Sequence, residues 1–468
     1  METTANPDAV PIREGEIEET LKAGARHDGA RVREILAKAK TLKGLPASDV
    51  AVLMAISDPE LLGELFATAR QVKEEIYGKR LVLFAPLYIS NLCGNECLYC
   101  AFRARNKAVK RRALSQEEIA HEIKVLVEQG HKRVLLVAGE SYPEEGFSYV
   151  LRSIETIYAT RSGNGEIRRV NANVAPLTLD EFRQLKAAKI GTYQLFQETY
   201  HRETYAKMHI GGKKKNYDWR VTAMDRAMQA GIDDVGIGVL FGLFDWRFEI
   251  LAMMQHIAHL EERFGVGPHT ISVPRLEPAT GSDIALHPPH AVSDLDFRKI
   301  VAILRLAVPY TGIIMSTRET ANIRRETFAL GVSQISAGSR TNPGGYTEGD
   351  PIAVSEQFSL GDHRSLDEVI RDVASLGYIP SFCTACYRLG RTGQDFMDMA
   401  KPGDIKNHCD PNALSTFQEY LIDYASPETR EAGEKLIAET LARMNDRQRN
   451  TSEKLLAKVR EGKRDVFC

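Results

Sequence analysis

The 468-residue chain is predicted to be an α/β protein built on a closed (β/α)8 barrel of the TIM type, with an N-terminal helical extension and a mostly helical C-terminal region. Eight short apolar β-type runs spread over about 260 residues support this, as do the amphipathic stretches between them and a Gly/Pro-rich exit after the last run. An open doubly wound sheet is the alternative that the same alternation allows.

Residues 1–80 read as helical. RVREILAKAK and the stretch 48–78 carry apolar residues at three- and four-residue spacing, with Ser48 or Asp49 as the N-cap. The strand candidates follow at 81–89, 133–139, 167–174, 192–197, 234–242, 269–275, 313–317 and 332–338. Helical pieces such as SQEEIAHEIKVLVEQG and LTLDEFRQLKAAKIG separate them, with Gly130 and Gly191 as stops. The stretch GSRTNPGGYTEGDP (338–351) leaves the barrel, and a helical tail follows. Three regions result: 1–80, a barrel over 81–340, and 341–468.

Composition narrows the function. Sixty-one basic against 63 acidic residues leave a net charge of -2, which gives no electrostatic reason to expect nucleic acid or an anionic membrane as partner. The most apolar segments, such as 81–89, fall well short of the ~20 residues that span a bilayer. The start METTANPDAVPIREGEIEET is acidic and lacks an apolar core, so it does not read as a signal peptide. Seven cysteines in a long chain without an export signal are poor material for a disulfide framework. Six of them form two sets of three, which is ligand grouping.

The first set, Cys93-Gly-Asn-Glu-Cys97-Leu-Tyr-Cys100, is a CxxxCxxC run directly after the first strand candidate. Three thiolates on a [4Fe–4S] cluster leave one iron open to a small molecule, whereas structural zinc prefers four closed ligands. With its aromatic before the last cysteine, this motif resembles the radical S-adenosylmethionine (SAM) superfamily. The resemblance implies that the open iron chelates SAM, whose reductive cleavage supplies a 5′-deoxyadenosyl radical. It further implies that Ala138-Gly139-Glu140 receives the SAM ammonium, that Tyr99 lies beside the adenine, and that Gln197 and Glu198 bind the ribose. Arg220 would hold the SAM carboxylate. Read on their own, Gly139 fits a strand-end turn, Glu198 an ordinary strand-end carboxylate, and Arg220 a solvated helix charge.

The second set, Cys383-Thr-Ala-Cys386 and then Cys409, is CxxCx22C. Zinc with His408 as fourth ligand is the alternative to a second cluster. In its context, SFCTACYRLGRTGQDFMDMAKPGDIKNHC, this set resembles the C-terminal domain of the HydG family, the tyrosine lyases that mature [FeFe]-hydrogenase. The related tyrosine lyase of thiamine biosynthesis, a 2-iminoacetate synthase, shares the barrel but lacks these cysteines. The resemblance implies Cα–Cβ cleavage of L-tyrosine to p-cresol and dehydroglycine, then formation of CO and cyanide on an auxiliary cluster for the hydrogenase active site. It implies two [4Fe–4S] clusters and SAM as cofactors, the C-terminal cluster with an additional fifth iron. Hydrogenase maturation proteins are the implied partners, with free cysteine at the auxiliary iron and a cytoplasmic location.

Met315-Ser316-Thr317-Arg318-Glu319 ends the seventh strand candidate, on the face where barrel enzymes keep their active sites. Arg318 is assigned to the tyrosine carboxylate, with Ser316 and Thr317 in support; an Arg318–Glu319 rim salt bridge is the structural alternative. His269 begins the sixth strand candidate, and the family resemblance makes it the ligand of the extra iron at the barrel bottom, opposite the first cluster. Lys213–Lys215 reads as a solvated loop, Cys468 as free, and His287 and His290 as members of a surface turn. A non-catalytic Fe–S carrier and a zinc-stabilised barrel are the competing functions.

Overall fold

The computed structural model describes residues 10–348, 356–400 and 405–468. The first nine residues, part of the segment read for export, and 349–351 of the exit stretch lie outside the described residues. Eight parallel strands close into a barrel: β1 Arg80–Ser90, β2 Arg133–Ala138, β3 Arg169–Asn173, β4 Tyr193–Gln194, β5 Val235–Gly238, β6 Thr270–Ser272, β7 Gly312–Met315 and β8 Val332–Ser336. Closure is made by β8 on β1, with Val82 opposite Gln334 and Phe84 opposite Ser336. Each of the eight predicted runs supplies one strand. Their near-continuous apolar character follows from burial on both faces, as β1 and β8 show.

A ninth strand, β9 (Ile379–Ser381), comes from the C-terminal region and pairs in parallel with the first residues of β1, Arg80 opposite Ile379. It therefore delivers the chain that follows, beginning at Phe382, to the N-terminal end of the barrel. Helices Leu366–Ser375, Ala385–Arg388, Gly393–Ala400, Lys406–Asp423, Pro427–Arg443 and Asp446–Arg460 make up the rest of what is described of this region.

Reciprocal capping boxes start three helices: Ser115 with Glu118, Thr178 with Glu181, and Ser365 with Glu368. The expected cap at Ser48 or Asp49 does not form. That helix starts at Ala47 after Pro46, and the buried Asp49 carboxylate instead takes Arg31 at 2.6 Å and Lys38 at 2.8 Å, tying two helices of the extension together. Gly130 follows its helix in the left-handed region as expected. At the other expected stop, Lys189 takes the positive φ (+59°), while Gly191 is constrained by space: a Cβ there would sit 2.2 Å from Asn171 Oδ1. No described helix is long and apolar enough to cross a membrane.

Candidate active site

Two cavities occupy opposite ends of the barrel. The one at the C-terminal ends of the strands is lined by Cys93, Cys97, Tyr99, Cys100, Gly139, Glu140, Glu198, Lys214, Arg220, Ser316, Thr317 and Arg318, among others. The one at the N-terminal ends is lined by Arg80, Arg133, Asp234, His269, Cys383, Cys386, Tyr387, Arg391 and Cys409, among others. Each predicted cysteine triad thus faces a single cavity.

The upper triad lies on the loop after β1. Its residues 96–97 pair antiparallel with His209–Gly211, and the Phe102 N–H donates to Cys100 Sγ at 3.4 Å. None of the three thiols is in a disulfide. Burial pushes all three up, Cys100 to about 11. Buried thiols that cannot readily shed protons to water bind as thiolates when a metal supplies the compensating charge. Among the described residues, no three His, Cys, Asp or Glu side chains close around a single ion. Three cysteine thiols as the donor set match a [4Fe–4S] cluster with one open iron better than a zinc ion, which takes four closed ligands.

Gly139 follows β2, and its N–H donates to Ser90 O at 2.9 Å. A Cβ there would lie 2.2 Å from Leu92 O, so glycine allows this loop to lie against the one that carries the cysteines. Glu140 accepts from Asn95 Nδ2 (2.7 Å) and pairs with Arg220 (2.8 Å). Glu198 pairs with Lys214 at 2.7 Å and with Arg220 at 3.5 Å, and holds φ +73°, a strained setting for a non-glycine residue at the edge of a site. The result is a chain of alternating charges, Glu140–Arg220–Glu198–Lys214. Tyr99 donates or accepts a 2.8 Å hydrogen bond at His209 Nε2.

Some placements differ from expectation. The burial of Arg220 removes its alternative reading as a solvated helix charge, and its fork is engaged by Glu140, Glu198 and the Phe196 carbonyl (2.7 Å). Gln197 is buried but does not line the cavity; its neighbours Phe196 and Glu198 do. Lys214, read as part of a solvated run, is only 9% exposed and points inward. The antiparallel pairing to the cysteine loop carries it there, and its own N–H donates to Asn95 Oδ1 at 2.9 Å.

At the end of β7, Glu319 is claimed by Arg275 through two contacts, one at 2.9 Å, so the alternative Arg318–Glu319 bridge does not form. The Arg318 guanidinium lies 3.2 Å from the centre of the Phe358 ring and has no carboxylate partner among the described residues. Ser316 Oγ accepts from Arg318 N at 3.3 Å, and the Thr317 carbonyl takes the N–H groups of Gly361 and Asp362. Thr317 thereby anchors a strap, 356–362, that brings Gln357 and Phe358 to the cavity wall. Gln357 accepts from Tyr88 Oη (2.7 Å) and approaches Cys100 Sγ with its amide at 3.8 Å. Neither strap residue carries a local sequence signal; only the closed barrel sets them beside the cysteines.

In the lower cavity Cys383 follows β9, Cys386 lies on the short helix Ala385–Arg388, and Cys409 on Lys406–Asp423. The Ala385 N–H donates to Cys383 Sγ at 3.4 Å, and Arg133 donates to the Cys383 carbonyl at 2.8 Å. Cys386 and Cys409 stand close enough to couple, and this, with Arg80 close by, holds the Cys409 thiol below its ordinary range and pushes Cys386 up. His269, at the foot of β6, lines this cavity, and His408, the residue considered for zinc, does not. The donor set fits a second thiolate-held group with an imidazole beside it.

The Radical SAM superfamily profile matches residues 87–255, and that of the Biotin and Thiamin Synthesis associated domain matches 272–379. The chain is 32% identical to the 2-iminoacetate synthase of Escherichia coli (strain K12) over 351 residues, 75% of this chain and 90% of that protein. Its fold superposes on a crystal structure of HydG, a maturase of the [FeFe]-hydrogenase, with a TM-score of 0.94 at 49% identity, covering 98% of this chain and 99% of that one. The HydG of Carboxydothermus hydrogenoformans gives 0.83 at 43% identity, covering 95% and 97%.

Proposed function

The chain belongs to the HydG and 2-iminoacetate synthase family of radical SAM enzymes, and from that membership we propose that it is a tyrosine lyase serving [FeFe]-hydrogenase assembly. In this reading it cleaves the Cα–Cβ bond of L-tyrosine to p-cresol and dehydroglycine and yields CO and cyanide. The observation that carries it is the pair of free cysteine triads, each facing its own cavity at opposite ends of one barrel.

When bound through Cys93, Cys97 and Cys100, a [4Fe–4S] cluster with SAM supplies a 5′-deoxyadenosyl radical. The chain's own residues do the rest of the work at that site. Glu198, held by Lys214 and Arg220, offers a fixed carboxylate for ribose hydroxyls, and Tyr99 a flat wall for the adenine. Arg318, without a carboxylate partner among the described residues, binds the tyrosine carboxylate, with Ser316 and Thr317 beside it. Phe358 and Gln357 cover the cavity and keep water from the radical. Cys383, Cys386 and Cys409, with His269, would hold the second cluster and an additional iron, with free cysteine as the candidate non-protein ligand. Hydrogenase maturation proteins as recipients and a cytoplasmic location belong to the same reading.

The test is anaerobic turnover with SAM, a reductant and isotopically labelled L-tyrosine, following p-cresol by chromatography and labelled CO and cyanide by infrared spectroscopy. Wild-type protein should give all three products. Cys386→Ala should keep p-cresol and lose CO, and loss of both together would contradict the division of labour. p-Cresol from wild type without CO would favour the 2-iminoacetate synthase reading instead.

A further inference from the structure

Glu277 stands on the wall of the upper cavity, five residues beyond the end of β6 and across from Arg318. No described group hydrogen-bonds its carboxyl or closes an ion pair with it, although three charged groups face it: Glu319, Arg318 and Arg275. Arg275 is already committed, to Glu319 and to Asp294 at 2.8 Å. Arg318 lies against Phe358 and closes no ion pair with a carboxylate among the described residues. One cavity therefore presents a guanidinium and a carboxyl that feel each other's charge without closing an ion pair. Leaving both partly buried and open costs stability that a direct ion pair would recover, a cost expected where a ligand completes the arrangement.

The ligand that matches such a pair carries an anion and a cation on adjacent atoms, as an α-amino acid does on its Cα. We propose that Glu277 is the specificity-determining residue that receives the substrate ammonium, Arg318 and Glu277 together forming a two-ended clamp for a zwitterion. This rests on the reading of the upper cavity as the tyrosine site. Burial, with Glu319 alongside, raises the Glu277 carboxyl to about 7, while Arg318 and Arg275 oppose the rise. The clamp needs the carboxylate form, so amino-acid affinity should strengthen as pH rises through that range.

The experiment uses the anaerobic, cluster-loaded enzyme with SAM and two probes: L-tyrosine and 3-(4-hydroxyphenyl)propanoate, which lacks only the amino group. Wild-type enzyme should prefer tyrosine at pH 8, and Glu277→Gln should lose about tenfold or more in tyrosine affinity while binding the deamino probe unchanged. Glu277→Asp, which keeps the charge, should restore part of the preference and serves if the Gln variant does not fold. A Gln variant that keeps the preference, one that loses both probes equally, or an Asp variant with no preference for tyrosine would overturn the clamp. p-Cresol missing from a wild-type enzyme that shows the preference would overturn the lyase reading alone. p-Cresol formed by Glu277→Gln at the wild-type KM would overturn the clamp alone.

Discussion

Lys214 lies in a run of three lysines after two glycines, a composition that reads locally as a solvated loop, yet it is buried in the upper cavity on Glu198. What takes it there is non-local: residues 209–211 pair with the cysteine loop, and Gly212, at φ +80°, turns where a Cβ would lie 2.3 Å from Asn95 Oδ1. The same holds for Arg318, whose freedom follows from Glu319 having been taken by Arg275, 44 residues earlier. The cysteines, by contrast, were legible because ligand grouping leaves a spacing in the sequence itself. Lys214→Met leaves Arg220, at 3.5 Å, as the one cation paired with the Glu198 carboxylate among the described residues. The expected result is SAM affinity about tenfold weaker by anaerobic equilibrium dialysis, the loss of one charge-assisted contact. Iron content should stay at the wild-type level, because no thiolate is touched; lost iron would instead give Lys214 a structural role in the cysteine loop.

Among the elements, the strands were legible because burial on both faces writes an apolar run into each, and the eight runs became eight strands. The ninth strand, β9, has only three residues and gave no signal above its helical surroundings. Caps were less certain, since Asp49 shows the chemistry of a cap but its carboxylate serves tertiary partners. The turn from helix Gln116–Glu128 into β2 holds His131, which is fully buried with both ring nitrogens lacking a partner among the described residues. Burial, with Lys132 alongside, pushes its imidazole down to about 3. Above about pH 6.5 both folded and unfolded chains carry it neutral, and it has no effect on the pH dependence of stability. As pH falls from there towards 3, the unfolded chain takes up a proton that the folded one excludes, so stability falls by up to about 1.4 kcal/mol per pH unit. Urea unfolding at pH 7 and 5.5 checks this: His131→Leu should lose less stability between the two than wild type. Equal losses would show that the ring finds a proton-stabilising partner on acidification.

At the scale of the whole molecule, the question is what holds the C-terminal region against the barrel so that three thiols from distant segments meet. Helix Lys406–Asp423 carries Cys409 near its start and Glu419 near its end, and Glu419 is buried against the barrel. Its carboxylate takes Arg168 at 2.5 and 3.2 Å, stands 3.6 Å from Lys132, and accepts the Asp465 N–H of the C-terminal tail at 2.9 Å. Two cations from the foot of the barrel thus share one carboxylate from the added region, with Asp465 at 3.4 Å as a further anion for Arg168. Lys132 pays for this crowding: desolvation and Arg168 bring its ammonium down to about 8. Glu419→Gln removes the carboxylate that both buried cations share, leaving Arg168 with Asp465 at 3.4 Å and Glu166 at 3.8 Å, and removing one partner of a buried pair costs about 3–5 kcal/mol. Calorimetry of the anaerobic protein should show that loss, and Lys132→Met in the same chain should recover part of it by removing the surplus charge. Because the helix that would loosen also bears Cys409, iron should fall from about eight or nine towards about four per chain while SAM cleavage persists. A variant that is destabilised yet keeps its full iron would place the anchoring of the lower triad in β9 and its pairing with β1, not in the ion pairs of helix Lys406–Asp423.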